Sequence, residues 1–464
     1  MGKKTAKKRH GRVARTGRRL SKSSWKFFWA GDGMSFRTGR YFGESMLVGV
    51  LAGFVVVGFE WMIRAGDRFI FESAFRTGHT WAMAILPAVG ALAGYLLIKR
   101  FASLEHARGT DSAILAYHRR HGYVPPAVIP IKSTASVLTV ASGGSAGYEG
   151  PVTLLGASCG SMVASWFGLS ARTRRILMTA GLSAGIAALF KAPLAGAIFG
   201  FEILYSSSDL EYEPILPCFI ASAISYTIYA CFFGWQPMFH TLSPGSFDNS
   251  IRLLPYFILA FVVAFGSRFY IMFFRATERA FSQIRLPGSL KVVAGGLATG
   301  AIGLALPPVL GTSYGTVGHV LNAEACAACP RGLLVSVAGL FAFFVLKVVA
   351  TSFTVGSGGS GGVFAPAIAC GGVLGMATGI ALQALWPGMG IHPASFAIVG
   401  MAGFLASCNR IPIAAIVLAS EMSGNFKLLL PAMWVCCISF WLNGGWTLYR
   451  SQVHNREASP VHSI

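Results

Sequence analysis

The chain has 464 residues, of which 54% are hydrophobic and only 12% are charged, with a formal net charge of +21. A water-soluble domain normally carries about 25% charged residues, so this composition excludes a large soluble protein. The apolar runs are continuous instead of alternating with polar residues, which favours membrane-spanning helices over a β-barrel. We therefore predict an all-α polytopic membrane protein.

Residues 1–40 hold most of the basic clustering of the chain, and Asp32 is their only acidic residue. A basic segment before a first apolar run is typical of a cytoplasmic anchor under the positive-inside rule, and such segments also attract anionic lipid headgroups. A disordered, solvated tail is an open alternative that is compatible with both. Because the positive charge is concentrated here, we predict membrane anchoring and no binding of nucleic acid.

Long apolar runs follow, each close to the ~20 residues that a helix needs to cross the hydrocarbon of a bilayer. Four of them begin at Met46, Trp81, Ile215 and Leu333. They predict a protein that crosses a membrane many times. We expect that membrane to be the plasma (inner) membrane, with both chain ends on the cytoplasmic side.

Two blocks of the sequence are repeated. GSAGYEGP at 144–151 matches GSGGVFAP at 359–366 with an offset of 215, and LFKAPLAGAIFGFE at 189–202 matches CNRIPIAAIVLASE at 408–421 with an offset of 219. Matched blocks in the same order, at nearly equal offsets, indicate two homologous halves. Such halves meet at a pseudo-symmetry axis, with the ligand site near the membrane midplane. The sequence alone leaves parallel and inverted halves open.

We divide the chain accordingly. A basic cytoplasmic segment (1–40) precedes a first membrane half (41–240) and a second membrane half (241–449). A short cytoplasmic tail (450–464) follows.

The repeated glycine blocks indicate helices that begin inside the membrane. Glycine interrupts a helix, and a proline in the first turn suits a new helix start. A helix start presents unpaired N–H groups and about half a positive charge, so it can bind an anion. Such ends are costly within a bilayer unless they line a cavity. The alternative is that the glycines only permit close helix packing, which leaves the fixed proline and Glu149 unexplained.

Glu149, in the first block, points most directly to a function. An acidic side chain at membrane depth is by default a functional-site hypothesis. As a carboxylate it can occupy the anion site at a helix start, and after protonation it can leave. Glu149 and a free anion would then compete for one place, which makes a gate. The alternative is a buried glutamate paired with a fixed base such as Lys132.

Four segments resemble the CLC family of chloride channels and anion/proton antiporters, and the resemblance covers nearly the whole chain. GYEGP at 147–151 is similar to the family's G-[KR]-E-G-P motif, whose glutamate is the external gate. GGVFAP at 361–366 is similar to its G-x-F-x-P motif, whose amides bind the anion. GGWTLY at 444–449 is similar to the segment with the anion-binding tyrosine, and 180–202 resembles the central helix–turn–helix.

The resemblance implies a homodimer with one independent pore per subunit and two halves of inverted topology. By position, Glu149 is the gate. The amides of Val363 and Phe364 and the hydroxyl of Tyr449 would coordinate the anion, since a phenol O–H is a suitable donor to a halide. Gly147 belongs to the same anion-binding set.

Two departures concern the electrostatics of the pore. Where the family has G-S-G-I-P, the chain has GTDSA at 109–113, which places Thr110 on the coordinating serine. Asp111 would then repel an anion beside it, so either Asp111 points away or Ser112 is the true ligand. Tyr148 replaces the Lys or Arg of the gate motif and removes a positive charge. Lys132 falls where the family often has a basic residue near the pore.

A third departure concerns protons. Antiporters of the family commonly carry an internal glutamate that relays protons, and that position is Ile203 here, directly after Glu202. Isoleucine carries no proton, so either Glu202 and water substitute, or coupling is altered, or the protein is a channel. Glu202 has an alternative structural role at a helix end, because its repeat mate is Glu421.

The leading hypothesis is transport of a chloride-like anion, with proton antiport gated by Glu149; a passive anion channel with the same gate is the alternative. No P-loop or HExxH sequence indicates an enzyme. We expect neither a metal nor an organic cofactor. Cys326 and Cys329 form an isolated CxxC, for which a disulfide or two free thiols are favoured over zinc.

Overall fold

The computed structural model describes residues 35–72, 80–101, 109–239, 250–322 and 336–462. Most of the predicted basic segment, residues 1–34, lies outside these ranges. Cys326 and Cys329 also lie outside the described residues, so the predictions for that pair stay predictions.

The chain divides into two compact units, Met1–Gly43 and Glu44–Ile464. In the first unit, the described residues are 35–43, which form the start of a long helix. The second unit contains the predicted repeats and the predicted site residues, and the paragraphs below describe it.

Sixteen α-helices make up most of the described residues, where the only β pairings are two isolated bridges. The helices are α1 (Ser35–Gly66), α2 (Thr80–Arg100), α3 (Thr110–Arg119), α4 (Val128–Ala141), α5 (Glu149–Trp166), α6 (Ala171–Phe190), α7 (Pro193–Glu202), α8 (Ile215–Phe233), α9 (Leu254–Gln283), α10 (Gly288–Ala305), α11 (Tyr314–Leu321), α12 (Val337–Gly356), α13 (Phe364–Leu385), α14 (Pro393–Asn409), α15 (Pro412–Ser423) and α16 (Leu429–Leu442).

Seven of these helices are long and apolar enough to cross a membrane, namely α1, α2, α8, α9, α10, α12 and α13. Three of the predicted apolar runs, those from Met46, Trp81 and Ile215, form α1, α2 and α8. The fourth run was predicted from Leu333, which lies outside the described residues, and it forms α12 from Val337 onward.

The second pair of repeated blocks, 189–202 and 408–421, contains a helix break with the same backbone form in the two halves. Lys191 after α6 and Arg410 after α14 adopt left-handed φ angles of 53° and 61°. Pro193 and Pro412 then start α7 and α15. The left-handed residue ends one helix, and the proline fits the first turn of the next, where its missing N–H costs no hydrogen bond.

Two glutamates then connect these helix starts across the halves. Glu202, the last residue of α7, accepts hydrogen bonds from two first-turn N–H groups of α15, at 2.8 and 2.7 Å. Glu421 in α15 accepts the equivalent pair from the first turn of α7, at 3.1 and 2.8 Å. Each of the two helices supplies a carboxylate to the first turn of the other, as expected for two elements related by a two-fold axis. The repeat inferred from the sequence is therefore present in three dimensions.

Glycines allow the helices of each half to approach closely. A Cβ atom on Gly156 of α5 would lie 2.1 Å from the carbonyl oxygen of Gly181 in α6. The equivalent position in the second half is Gly371 of α13, where a Cβ atom would lie 2.6 Å from the carbonyl oxygen of Gly400 in α14. Close backbone contact of this kind is typical of helices packed in a membrane, and it fixes where α5 and α13 begin.

Candidate functional site

The two repeated glycine loops pair with each other directly. The N–H of Gly147 donates to the carbonyl of Gly362 at 2.8 Å, and the N–H of Gly362 donates to the carbonyl of Gly147 at 2.7 Å. Two residues after each glycine, a helix begins: α5 at Glu149 and α13 at Phe364. The pairing therefore brings two helix starts, one from each half, to the same place.

The Glu149 side chain lies at the start of α13. It is buried, and its Oε2 accepts a hydrogen bond from the N–H of Ala365 at 3.1 Å. Its Oε1 accepts a hydrogen bond from the hydroxyl of Tyr314, the first residue of α11. A carboxylate thus takes the place that the unpaired N–H groups of a helix start would offer to an anion.

Gly147 was placed in the anion-binding set above, and this role stays a prediction. Its N–H donates to the carbonyl of Gly362. A Cβ atom at this position would lie 2.0 Å from Oε2 of Glu149 and 2.8 Å from Cβ of Ala365. Gly147 therefore joins the two loops and leaves space for the gate carboxylate, which a side chain at this position would displace.

The hydroxyl groups of Thr110, Thr153 and Tyr449 form a cluster near the start of α5. The Thr110 side chain, at the start of α3, lies 2.8 Å from the Thr153 hydroxyl, which itself donates to the carbonyl of Gly150 at 2.7 Å. The buried phenol of Tyr449 also interacts with Thr110. The contact between Thr110 and Tyr449 favours Thr110 over Ser112 as the hydroxyl of the predicted anion site.

Asp111 points away from this cluster. Its two carboxylate oxygens accept hydrogen bonds from the backbone N–H and the hydroxyl of Ser451, both at 2.9 Å. Two donors compensate the negative charge beside the Tyr449 phenol. The two explanations considered for Asp111 and Ser112 both stay predictions.

The other two predicted anion ligands lie at the start of α13. Val363 is buried, and its carbonyl accepts a hydrogen bond from Tyr270 at 3.2 Å, which orients this peptide group. The Phe364 ring packs against Phe190 and Phe199, with ring centroids 5.4 and 5.7 Å apart. These contacts fix the direction of the α13 start.

Two buried lysines lie near the loops. Lys132 of α4 donates to the Ser360 hydroxyl at 2.9 Å, and so connects α4 to the second glycine loop. Lys347 of α12 is fully buried, and its charge interacts with Glu149. It donates to the carbonyls of Val309 and Gly311, at 2.9 and 2.7 Å. The pairing of Glu149 with Lys132 considered above stays a prediction, and Lys347 is a second buried base whose charge reaches Glu149.

The two residues assigned to a proton pathway lie next to each other but in different environments. The Glu202 carboxylate is used as the cap of α15. Ile203 is fully buried, and its carbonyl accepts a hydrogen bond from the Gln452 side chain at 2.9 Å. A proton role for Glu202 at this point of the pathway, beside the apolar Ile203, stays a prediction.

The C-terminal tail, residues 450–462, folds back along the loop after α7. Val453 and Tyr205 form an isolated parallel bridge. The buried Glu211 carboxylate lies 2.7 Å from the Tyr205 hydroxyl and 2.9 Å from His462. Arg456 lies 3.3 Å from the same carboxylate. Burial raises the pKa of Glu211, but the hydrogen bonds from Tyr205 and His462 outweigh it, so the net pKa lies below the usual 4.5.

Three residues at the site were missed by the sequence reasoning: Tyr314, Lys347 and Thr153. Thr153 follows Glu149 by one helical turn, and this spacing could have indicated it. Tyr314 and Lys347 belong to no repeated block, and only the folded chain brings them to Glu149.

Comparisons with known proteins show the family to which the chain belongs. The family model described as "Voltage gated chloride channel" matches residues 89–444, which is most of the chain. The chain belongs to this family. The predicted CLC relationship is confirmed.

Individual relatives cover similar lengths. The chain is 29% identical over 385 residues to a ClcB-like protein of Ralstonia nicotianae, whose name places it among chloride channels, covering 82% of this chain and 86% of the relative. It is 31% identical over 404 residues to an H(+)/Cl(-) exchange transporter, ClcA, of Klebsiella pneumoniae, covering 84% of this chain and 82% of the relative.

Among solved structures, a slow cyanobacterial Cl-/H+ antiporter matches with a TM-score of 0.78 and 23% identity, covering 88% of this chain and 96% of the other. The CLC fold of the present chain is therefore confirmed, as an all-α polytopic membrane protein with two repeated halves of inverted topology and broken helices. Within the described ranges, no group of three or more His, Cys, Asp or Glu residues could hold a metal ion.

Proposed function

We propose that the protein exchanges a chloride-like anion for protons across a membrane, with Glu149 as the gate. The observation that carries the proposal is the hydrogen bond from the Ala365 N–H to the Glu149 carboxylate. A side-chain anion here occupies a helix-start site that a free anion would otherwise fill. Protonation removes the charge of the carboxylate, and with it the attraction to the helix start, so proton binding and anion entry become linked.

The anion site in this proposal consists of the Val363 and Phe364 amides and the hydroxyls of Thr110 and Tyr449. The contact between Thr110 and Tyr449 supports it, as does Asp111, whose charge is satisfied by Ser451. The printed name of the Klebsiella relative, an H(+)/Cl(-) exchange transporter, supports the choice of substrates.

The cellular setting is also part of the proposal. We infer a homodimer with one pore per subunit in the plasma (inner) membrane, with both chain ends in the cytoplasm. The basic clustering in residues 1–40 supports this orientation under the positive-inside rule. Transport needs no metal, cofactor or enzymatic step in this scheme.

The test is transport by the purified protein in liposomes. An imposed chloride gradient should drive protons in the opposite direction, measured with chloride and pH electrodes on the same sample. Glu149→Gln should abolish proton movement while chloride movement continues, because glutamine fills the same space without a titratable group. Glu421→Gln is the matched control, since it neutralises another carboxylate that accepts N–H groups of a helix start and should leave the proton-to-chloride ratio unchanged.

A passive anion channel is the second candidate, and Ile203 is the observation that favours it. The position of the predicted internal proton carrier is apolar, and the adjacent Glu202 is used as a helix cap. If a chloride gradient moves no protons but Glu149→Gln still changes the pH dependence of chloride flux, the channel is supported. If Glu149→Gln changes neither quantity, Glu149 is not the gate.

A further inference from the structure

Glu149 is held by two donors, and only one of them belongs to the repeated helix starts. Oε2 accepts from the Ala365 N–H of α13, while Oε1 accepts from the phenol of Tyr314 in α11. Tyr314 lies 165 residues along the chain from Glu149. The phenol is therefore a separate contribution to the position of the carboxylate, independent of the charge at the helix start.

The Tyr314 side chain is fixed from its own loop. Ser313 has a left-handed φ of 65°, and its hydroxyl donates to the carbonyl of Pro308 at 2.8 Å. Lys347 donates to two further carbonyls of this loop, at 2.9 and 2.7 Å. The Tyr314 ring packs edge-on against Phe239 with centroids 6.2 Å apart. The backbone and the ring of Tyr314 are thus both held by contacts that do not involve Glu149.

We propose that Tyr314 is a positioning residue for the gate, and that its hydroxyl holds the ionised Glu149 carboxylate in the closed position. This inference rests on the proposed gate role of Glu149. A phenol donates strongly to a carboxylate, because a hydrogen bond to an ionised acceptor is about twice as strong as one between neutral groups. A protonated carboxyl loses that advantage. The contact therefore selects for the charged, closed state of the gate.

A direct consequence concerns the pH at which the gate opens. Without the phenol, the ionised carboxylate loses a stronger hydrogen bond than the protonated carboxyl does, and only this difference moves the midpoint. We expect the midpoint of the pH dependence of anion flux to move up by about one pH unit, which corresponds to about 1.4 kcal/mol. Anion flux near neutral pH should rise accordingly, up to about tenfold.

The experiment is chloride flux from liposomes between pH 4 and pH 9, with wild type, Tyr314→Phe and a protein that carries 3-fluorotyrosine at position 314. Tyr314→Phe keeps the ring against Phe239 and removes only the hydroxyl, so its midpoint should shift to higher pH. Fluorination makes the phenol a stronger donor within the same shape, so its midpoint should shift to lower pH. Shifts of opposite sign are not expected from a general loss of structure.

Tyr256→Phe is the matched control. It removes the hydroxyl of another buried tyrosine, whose ring stacks on Phe396 at 4.2 Å instead of contacting Glu149. Its midpoint should equal that of the wild type.

The double variant Glu149→Gln with Tyr314→Phe separates this inference from the proposed function. Its flux should be the same as that of Glu149→Gln at every pH, because the phenol acts through the carboxylate. If wild-type flux depends on Glu149 and pH while Tyr314→Phe and 3-fluorotyrosine leave the midpoint unchanged, the inference is wrong and the gate stands. If Glu149→Gln has no effect, the proposed function itself fails.

Discussion

The two sets of contacts between the halves have diverged to different degrees. Glu202 and Glu421 occupy equivalent repeat positions, and each caps the helix that carries the other. In the glycine loops the backbone pairing is also mutual, but the residues at the two helix starts differ: Glu149 in the first half and Phe364 in the second. The capping pair has kept its symmetry, and the loop pair has lost it.

The reason for the difference is electrostatic. The capping carboxylates lie at separate helix starts, so both charges are compensated. A second acid at Phe364 would place two like charges near one helix start, where they repel. Instead, Phe364 packs its ring against Phe190 and Phe199. Symmetric contacts in this molecule maintain the architecture, and the asymmetric one is where we place the function.

The largest expected effect comes from adding a methyl group to the loop pair. In Gly362→Ala the new Cβ atom would lie 2.7 Å from the backbone nitrogen of Gly150, which cannot move away. We expect a loss of about 3 kcal/mol in stability, the upper part of the range for overpacking. Thermal unfolding in detergent measures it, and Gly58→Ala, where no atom lies within 4 Å of the added Cβ, is the control.

Gly147→Ala should behave differently, since its nearest neighbour is the movable Oε2 of Glu149 at 2.0 Å. Part of the strain can be relieved by displacing the gate carboxylate. Stability should therefore fall less than in Gly362→Ala, while chloride flux at neutral pH rises. Equal stability losses with unchanged flux would mean that the two loops are still equivalent.

The capping pair provides the next largest effect. Glu202 is almost fully buried, so Glu202→Ala leaves two unpaired N–H groups without water and should cost about 2–3 kcal/mol. Glu421 is only partly buried, and Glu421→Ala should cost about half as much because water can replace the carboxylate. Unfolding temperatures of the two variants measure the difference.

The same pair tests the proton role predicted for Glu202. Glu202→Gln and Glu421→Gln should leave the proton-to-chloride ratio equal to that of the wild type if both residues are only caps. A change in that ratio for Glu202→Gln alone would break the symmetry and would favour Glu202 as a proton carrier.

A smaller effect is expected at the hydrogen bonds between the tail and Asp111, which is next to the predicted anion ligand Thr110. Asp111→Ala removes two hydrogen bonds to Ser451, each worth about 1 kcal/mol. It also removes a negative charge near Tyr449. Hydrogen exchange in the tail should become faster, and calorimetric chloride affinity should increase. Ser451→Ala keeps the charge, so it should loosen the tail without raising the affinity.

The smallest effect is a pH dependence of tail docking through Glu211. Its pKa is lower in the folded protein than the usual 4.5, because the hydrogen bonds from Tyr205 and His462 outweigh the effect of burial. A depressed pKa stabilises the docked tail above about pH 4.5, and this stabilisation is lost as pH falls through the lower folded value. Limited proteolysis of the tail should therefore accelerate in acid for the wild type. In Glu211→Gln the rate should vary less between neutral and acidic pH; an unchanged pH profile would exclude Glu211 as the cause.

The fold was largely predictable from the sequence because the same sequence blocks occur in both halves of the chain. The repeated glycine blocks predicted the helix starts that are found at Glu149 and Phe364, since glycine and proline act on the local backbone. The same repeat indicated that Glu202 and Glu421 share a structural role at helix ends. No comparable local signal exists for the tail, whose position depends on contacts with Asp111 and Glu211.

The site was predictable in part for the same reason. Glu149 was recognised as the unusual acid, and the start of α13 as its partner. Tyr314 and Lys347 were missed, because a residue that approaches another from a separate helix leaves no periodic pattern in the sequence. Gly147 was placed in the anion-binding set, and only the structure shows that its N–H is bonded to the carbonyl of Gly362.

The exchanged caps mean that neither half is structurally complete on its own. A fragment containing α7 without α15 would bring a helix start into lipid with two N–H groups exposed, and the converse fragment would do the same. Chains cut in the middle should therefore be degraded when produced singly and rescue each other when produced together. A gene encoding one ancestral half would have had to yield a self-associating product from its first appearance.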